Sequence, residues 1–244
     1  MSRTGAASDT LLVVEDEPKL RAIVSEALQD DARRVLQAAT AAEALEIAQR
    51  ERPTLIVLDL GLPDRDGLEV CRELRRWSSA PILVLSARSG EEDKEALFDA
   101  GADDYVTKPF SPVELRARVR AQLRRARMAP LAGSDRPLTI GHLVVDTALR
   151  RVTRDGTDVH LTPTEWNLLQ ALLAQANRPV THARLFRDVW GNVAGDAQQY
   201  LRVYVGHLRR KLERDPYQPR LIITEPGVGY RLELSAAGDD DGAR

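Results

Sequence analysis

The sequence predicts an α/β fold with two domains: a five-stranded parallel sheet covered by helices, then a smaller α+β domain built on a helix-turn-helix. Three observations support this prediction. Short apolar runs alternate with helical patterns over residues 10–128, which is typical of a parallel sheet. Residues 129–137 concentrate Pro, Gly, Ser and charge, so we place a linker there. Residues 138–234 combine short alternating strands with amphipathic helices.

In the first domain each apolar run is followed by a helical segment. The predicted strands are residues 11–14, 34–38, 55–60, 82–86 and 105–107. The predicted helices are residues 18–28, 41–50, 67–77, 91–100 and 112–125. Right-handed crossovers would place these helices on both faces of one sheet.

The second domain is predicted to hold strands at 138–145 and 150–154, and a turn with a further strand within 155–161. Helices are predicted from 162 and at 181–190 and 198–214, and a closing hairpin at 220–234. The first of these helices carries the clearest start signal. Thr162 is its N-cap, Pro163 takes the first helical position and Glu165 completes a capping box. We expect residues 1–9 to be a loose leader and the acidic tail, residues 235–244, to be disordered.

Composition and charge limit the functional classes. Of the 244 residues, 43% are apolar and 30% charged, as in an ordinary soluble protein. The net charge of −2 hides an asymmetry, because residues 1–128 carry −3 and residues 138–234 carry +3. The single cysteine, Cys71, lies in a helical pattern, which indicates a packed thiol in a cytoplasmic protein. No run approaches the roughly eighteen apolar residues that cross a bilayer, so we expect no membrane insertion.

Charged and hydroxyl side chains stand at the ends of four predicted strands. Glu15 and Asp16 follow the first strand, Asp59 ends the third, Ser86 ends the fourth and Lys108 follows the fifth. The carboxyl ends of parallel strands meet at one edge of a sheet, where ligands gather. Converging carboxylates repel one another unless a divalent cation neutralises them, and an all-oxygen ligand set suits Mg²⁺.

The hydroxyl and the ammonium in this set imply a phosphoryl group. Ser86 would donate a hydrogen bond to one phosphoryl oxygen and Lys108 would pair with another, so that Asp59 could attack phosphorus in line. For each residue alone the alternative is ordinary: an acidic helix start near Glu15 and a solvated Lys108. Their joint occurrence in strand order favours the functional interpretation.

A basic amphipathic helix is predicted at residues 198–214. Leu201, Val205, Leu208 and Leu212 form one apolar stripe that faces a core. The opposite face and its flank present mainly basic and small side chains: Gln199, Arg202, Val203, Gly206, Arg209, Arg210, Lys211 and Arg214. Five basic residues and one acidic residue give the helix a charge of +4, which suits a DNA major groove.

The neighbouring segments support a nucleic-acid role for this helix. A predicted helix at 181–190 and the connection GNVAGDA precede it, which indicates a helix-turn-helix variant with an enlarged turn. In the hairpin that follows, Thr224 and Arg231 accompany glycines such as Gly229 that permit a tight turn near a phosphate backbone. The alternative is a solvated basic face. His207 falls between the two faces, and the sequence does not assign its role.

The motifs VVEDEP, LDLGLPDRDG, VLSARS and GADDYVTKPF resemble the receiver domain of two-component response regulators over residues 10–125. The resemblance implies a flavodoxin-like fold in which a membrane sensor histidine kinase phosphorylates Asp59. It implies that Asp16 and Asp59 ligate Mg²⁺ directly, with the Gly61 carbonyl as third ligand and Glu15 acting through water.

The same resemblance assigns the switch. Ser86 and Lys108 would bind the phosphoryl group, Tyr105 would change rotamer, and the bond between Lys108 and Pro109 would be cis. The fourth helix, fifth strand and fifth helix would form a symmetric homodimer through Lys94, Asp103, Asp104, Glu114 and Arg118. Lys94 would pair with Glu114 and Asp104 with Arg118 of the second chain. The alternative is a solvated face with a local Glu114 to Arg118 pair.

The motifs LTPTEWNLL, RVYVGHLRRKLE and ITEPGVGYRL resemble the winged-helix effector domain of OmpR/PhoB-type regulators over residues 138–234. This resemblance implies recognition of tandem promoter half-sites, with Arg231 reaching a minor groove, and RNA polymerase as a partner. The sequences of these motifs most resemble those of the group of regulators that governs potassium-uptake operons.

Two other functions are compatible with the same residues. One is a regulator that binds DNA without phosphorylation. The other is a Mg²⁺-dependent aspartyl-phosphate phosphatase, which would need an acid two residues after Asp59, where the chain has Gly61. We therefore expect a regulator rather than an enzyme.

Overall fold

The structure, a computed structural model, describes residues 9–87, 90–126, 137–191 and 196–234. The chain divides into two compact units, Met1–Arg127 and Met128–Arg244. The expected leader, linker and tail lie almost entirely outside the described residues. Within the described part of the chain, no helix is long and apolar enough to cross a membrane.

The first unit contains one five-stranded parallel sheet, as predicted. Its strands are β1 (Thr10–Val14), β2 (Arg34–Ala38), β3 (Leu55–Asp59), β4 (Ile82–Ser86) and β5 (Asp104–Thr107). Their order is β2-β1-β3-β4-β5, which is the flavodoxin-like order. The chain leaves β1 for β2 on one side and later returns to β3 on the other, so the direction of winding switches between β1 and β3.

Among the described residues of this unit, five helices cover the two faces of the sheet. They are α1 (Pro18–Leu28), α2 (Ala41–Glu51), α3 (Gly67–Arg75), α4 (Glu91–Asp99) and α5 (Pro112–Ala126). In β1, Leu11 and Val13 pack against α1 and α5, whereas Leu12 and Val14 pack against the α2, α3 and α4 side. The strands read as continuous apolar runs because both faces of the sheet are buried. Cys71 lies in this core, and burial raises the pKa of its thiol to about 12.

In the part of the chain that the structure describes, the second unit has two antiparallel sheets and three helices. Strands β6 (Leu138–Ile140), β7 (Leu143–Asp146), β8 (Arg151–Arg154) and β9 (Thr157–Val159) form one sheet, and β10 (Val180–Thr181), β11 (Ile222–Glu225) and β12 (Gly229–Leu232) form the other. The helices are α6 (Pro163–Leu173), α7 (His182–Trp190) and α8 (Ala197–Leu212). The single strand predicted at 138–145 is wrong: it is two strands, because Gly141 turns the chain with φ +55°.

The local signals in this unit are confirmed. Thr162 caps α6, Pro163 is its first residue and Glu165 completes the capping box. The stripe of Leu201, Val205, Leu208 and Leu212 on α8 is buried. The hairpin closes on Gly227, which has φ +73°, a conformation that glycine adopts without strain.

The Glu165 carboxylate is almost fully buried, with 2% of its residue surface exposed. Oε2 accepts hydrogen bonds from the Thr162 N–H at 2.8 Å and from Lys211 Nζ at 2.6 Å. Nδ1 of His207 lies 3.6 Å from Oε1. Burial alone would raise the pKa of Glu165, but the His207, Lys211 and Thr162 contacts hold it at about 2.

Glycine at position 67 is expected to be required for stability. A Cβ atom there would lie 2.5 Å from the Asp59 carbonyl oxygen and 2.6 Å from Leu60 Cα, so the backbone would have to move. Gly67→Ala should lower the free energy of unfolding by about 1–3 kcal/mol in a denaturant titration. Gly206→Ala is the control, because a Cβ there meets nothing within 4 Å and should stabilise α8 by up to about 1 kcal/mol. Equal stability of both variants would contradict the steric argument.

The buried Glu165 is expected to make stability depend on pH. Its pKa falls from an ordinary value of 4.5 to about 2 on folding, so its stabilisation is present above 4.5 and is lost as pH falls towards 2. The full effect is about 3 kcal/mol. Wild type should therefore lose its stability advantage over Glu165→Gln as pH is lowered through this range in denaturant titrations. Thr162→Ala, which removes a group that does not titrate, should cost the same at each pH; a pH-independent advantage over Glu165→Gln would refute this assignment.

Candidate functional site

Three carboxylates converge at the carboxyl edge of the parallel sheet. Glu15 and Asp16 directly follow β1, and Asp59 is the last residue of β3. One oxygen from each of the three lies within 4.8 Å of the others. Glu15 and Asp59 are buried and Asp16 is exposed. The adjacency of β1 and β3 explains why residues forty-odd positions apart form one acidic cluster.

Lys108 lies between two of these carboxylates. Its Nζ is 2.8 Å from Glu15 Oε2 and 2.7 Å from Asp59 Oδ1. Burial raises the pKa of Glu15, and the neighbouring Asp59 adds to this rise, while Lys108 opposes it. Burial disfavours the charged form of Lys108, yet its hydrogen bonds with Asp59 and Glu15 raise its pKa. A single ammonium thus offsets part of the cluster's charge and leaves it net negative.

Two other predicted site residues, Gly61 and Ser86, contact Asp59 or Lys108. Ser86, which is buried, ends β4, and its carbonyl accepts the Lys108 N–H at 2.7 Å. The Gly61 N–H donates to Asp59 Oδ2 at 3.2 Å. The Lys108–Pro109 bond is cis, as expected. Tyr105 is half-buried on β5, with its ring edge-on to Phe98 at a centroid distance of 5.8 Å.

Two residues that the sequence did not single out hold the loops of this pocket. Arg21 on α1 donates to the carbonyls of Glu15 and Asp16 at 2.7 and 3.1 Å. Asp64, in the loop after β3, accepts the N–H groups of the first two α2 residues at 2.8 and 3.0 Å, and these bonds lower its pKa. The Asp64 contacts span 22 and 23 residues, so no local pattern could have found them. The Arg21 contacts span only five and six residues, but a side chain that donates to backbone carbonyls leaves no distinctive pattern in the sequence.

Two residues of the expected dimer face, Asp103 and Asp104, are buried and pair within their own chain. Asp103 is fully buried, pairs with Arg75, and accepts the Ile82 N–H at 2.9 Å, so it offers no exposed carboxylate to a second chain. Asp104 is also fully buried and binds Arg118 of its own chain at 2.9 Å.

The local pair that stood as the alternative is present on this face. Arg118 lies 3.1 Å from Glu114, one turn earlier on α5. The Nζ of Lys94 lies 5.9 Å from the centre of the Tyr105 ring. Glu114 is exposed and Lys94 is half-buried, so both remain at the surface of α4 and α5.

The basic face of α8 separates into two groups. Arg202 and Arg210 are exposed, and Gln199, Val203 and Gly206 are half-buried beside them. The start of the helix is fixed by Asp196, whose carboxylate accepts the N–H groups of residues 198 and 199 at 2.9 and 3.2 Å. Part of the predicted turn before α8, residues 192–195, lies outside the described residues.

Three basic residues of the predicted DNA-binding set, Arg209, Lys211 and Arg231, have defined partners within the chain. Arg209 donates to the Ile222 carbonyl at 2.6 and 3.0 Å and to Thr224 Oγ1 at 2.8 Å. Lys211 binds Glu165. Arg231, on β12, pairs with Glu225 at 2.7 Å and with Glu233.

The hairpin of β11 and β12 is attached to the end of α8 by a residue that the sequence did not identify. Glu213 is buried, and its carboxylate accepts the N–H groups of Leu221 and Ile222 at 2.9 to 3.1 Å. Gly229 was expected to approach a phosphate backbone, but it is buried, and a Cβ there would lie 2.0 Å from the Val180 carbonyl oxygen. Its small size serves the pairing of β12 with β10.

Comparison with known families agrees with this two-part geometry. Residues 11–120 match the family described as "Response regulator receiver domain". Residues 156–232 match "Transcriptional regulatory protein, C terminal". The acidic cluster and Lys108 lie within the first match, and α8 and the hairpin lie within the second.

Similar proteins extend over nearly the whole chain. "KDP operon transcriptional regulatory protein KdpE" of Escherichia coli (strain K12) is 49% identical over 226 residues, covering 92% of this chain and 99% of that protein. "Transcriptional regulatory protein KdpE" of Mycobacterium tuberculosis is 44% identical over 224 residues, covering 91% and 98%.

Solved structures give the same result. The response regulator DrrB of Thermotoga maritima, described as an OmpR/PhoB homolog, is 32% identical with a TM-score of 0.51 and covers 93% of this chain and 99% of its own. A mutant of RitR is 25% identical with a TM-score of 0.75, covering 92% and 99%. The chain therefore belongs to the response regulators in which a receiver domain precedes an OmpR/PhoB-type DNA-binding domain.

Proposed function

We propose that the protein is a cytoplasmic, phosphorylation-controlled transcription regulator: a membrane sensor histidine kinase phosphorylates Asp59, and the phosphorylated form binds promoter DNA at a potassium-uptake operon. The observation that carries the proposal is the convergence of Glu15, Asp16 and Asp59 around Lys108 in a chain that also presents a basic helix. The choice of operon is supported by the motif sequences and by the Escherichia coli relative named for the KDP operon.

The donor set fits a magnesium ion. Asp16 and Asp59 would bind it directly, the Gly61 carbonyl would be the third ligand and Glu15 would act through water, an all-oxygen set of the kind that Mg²⁺ prefers. When bound, Mg²⁺ would supply positive charge that lowers the repulsion between the carboxylates and the incoming phosphoryl oxygens. The net negative charge that Lys108 leaves on the cluster supports this assignment.

Asp59 would then act as the nucleophile. One of its carboxylate oxygens attacks phosphorus, the bond from phosphorus to the kinase histidine nitrogen breaks, and the imidazole leaves. Lys108, already 2.7 Å from Asp59, would exchange this carboxylate contact for a phosphoryl oxygen. Ser86 would donate its hydroxyl to another phosphoryl oxygen.

Movement of Ser86 would carry the signal to the surface. An inward shift at the end of β4 would leave space for Tyr105, whose ring contacts Phe98 and lies near Lys94. We propose that this change favours a twofold dimer on the α4, β5 and α5 face. Lys94 and Glu114 are at the surface there, whereas Arg118 would have to exchange a partner in its own chain for one in the second.

DNA contact would centre on the exposed part of α8. Arg202 and Arg210 are exposed there, and the half-buried Gln199, Val203 and Gly206 would let the helix approach base edges in the major groove. Because Arg209, Lys211 and Arg231 bind partners in their own chain, these three would also stabilise the fold of the DNA-binding unit. Arg231 would reach a minor groove only when its pairs with Glu225 and Glu233 open. Tandem half-sites and contact with RNA polymerase complete the proposed assembly.

Asp59→Ala is expected to abolish phosphate incorporation from a small phosphodonor and Mg²⁺, measured by intact-protein mass, because the acceptor oxygens are removed. Glu17→Gln is the matched control. Glu17 is exposed and adjoins the cluster without belonging to it, so this variant should be phosphorylated like wild type. Incorporation of one phosphoryl group by Asp59→Ala would contradict the assignment.

In a promoter titration with phosphodonor, Asp59→Ala should also bind DNA more weakly than wild type. Equal binding would favour a regulator that works without phosphorylation. Rapid multiple turnover of small phosphomonoesters by wild type would favour a phosphatase.

Arg202→Ala and Arg210→Ala are expected to weaken promoter binding and to leave phosphorylation intact. Each should reduce the salt dependence of binding by about one phosphate contact, or relax the base preference at one position. Arg151→Ala is the control, because Arg151 is exposed, pairs with Asp158 on β9 and does not belong to the proposed DNA face. Wild-type footprints for both α8 variants would show that the DNA face is wrongly assigned.

A further inference from the structure

One buried carboxylate joins the first helix of the DNA-binding unit to its basic helix. Glu165 occupies the third position of α6, and both of its oxygens point towards α8 residues or the α6 N-terminus. Its α8 partners, His207 and Lys211, are four residues apart and therefore lie on one side of that helix, on successive turns. The carboxylate thus contacts two successive turns of α8.

These polar contacts restrict the rotation of α8 about its own axis, which its apolar packing alone does not. The buried stripe of leucines holds α8 in the core, but hydrophobic contact is non-directional and tolerates small rotations. A hydrogen-bonded ion pair has a narrow range of distance and angle. The Glu165 to Lys211 contact is 2.6 Å, and the carboxylate is 2% exposed, so water competes little for it.

Separating Glu165 from its partners would be costly because its carboxylate is buried. A buried carboxylate that loses its partners remains as an uncompensated charge, which is far less favourable than an exposed one. The His207 ring is itself buried and packs against Tyr204 at a centroid distance of 5.6 Å, so it cannot turn away freely. Rotation of α8 is therefore opposed at both turns.

The exposed arginines lie elsewhere around the same helix: Arg202 is opposite Lys211, and Arg210 is about 100° from it. Arg210 directly precedes Lys211, and Arg202 lies five residues before His207, so both turn with the helix as a rigid body. An orientation fixed at His207 and Lys211 also fixes where Arg202 and Arg210 point.

We propose that Glu165 is a positioning residue for DNA recognition: it sets the rotation of α8 and thereby aims Arg202 and Arg210 at the major groove. The inference rests on the proposed DNA-binding function. Glu165 itself touches no DNA in this proposal and acts only through His207 and Lys211.

The test is a thermodynamic cycle in the full-length protein between Glu165→Gln and Arg210→Ala, with affinity for promoter DNA measured by fluorescence anisotropy. The control variant is Thr162→Ala, which weakens the same helix cap but leaves the α8 contacts of Glu165 in place. Circular dichroism at the assay temperature verifies that each variant is folded. His207→Gln, a milder change on the α8 side, repeats the test without removing the buried charge.

We expect Glu165→Gln to weaken specific binding on the order of tenfold, the scale of one well-made base contact, and to leave binding to random-sequence DNA unchanged. In that background Arg210→Ala should cost less than in wild type, because Arg210 is no longer aimed. In the Thr162→Ala background its cost should be undiminished.

Additive effects of Glu165→Gln and Arg210→Ala, or equal loss in Thr162→Ala and Glu165→Gln, would overturn the proposal and leave Glu165 a stabilising residue only. Failure of wild type to bind promoter DNA at all would instead overturn the proposed function. The two failures are therefore distinguishable.

Discussion

Repulsion between carboxylates at one edge of the parallel sheet is the constraint on which the first unit depends. The strand order brings Glu15 and Asp59 to the same point, and both are buried there. Like charges in a low-dielectric site require a counter-charge, and Lys108 supplies one at 2.7 and 2.8 Å. Arg21 and Asp64 then hold the surrounding loops through backbone groups. The cluster therefore keeps a net negative charge, which a further cation would reduce. Lys108 could exchange one of its carboxylate contacts for another anionic group.

The second unit uses buried acids for a different purpose. Glu165 ties α8 to α6, and Glu213 ties the end of α8 to β11. Arg209 adds a third tie, from α8 to the Ile222 carbonyl and Thr224. Several of the charges that made α8 look like a uniform basic surface therefore serve internal structure. The charge that is exposed on the helix is concentrated at Arg202 and Arg210.

The differences between expectation and structure share one physical origin. The family resemblance placed Asp103 and Asp104 on a surface for a second chain, yet both are buried and pair with arginines of α3 and α5. Gly229 looked like a turn residue near a ligand, but the close approach of Val180 explains it. In each case the deciding partner lies far away in sequence, where periodicity carries no information. Long arginine side chains reach such partners from several directions, so their targets are the least predictable.

The sequence by itself determined most of the elements and their order, because apolar period, caps and strand-end residues are local properties. The family followed from the resemblance of its motifs. The sequence also predicted that Glu15, Asp16, Asp59, Ser86 and Lys108 stand together, since the carboxyl ends of parallel strands must share one edge. The capping box at Thr162 and Glu165 was readable for the same local reason. Only the tertiary structure showed that Glu165 also holds His207 and Lys211, and that Arg209 and Arg231 have partners of their own. Those contacts depend on how helices and strands pack, and packing brings together residues that no local pattern relates.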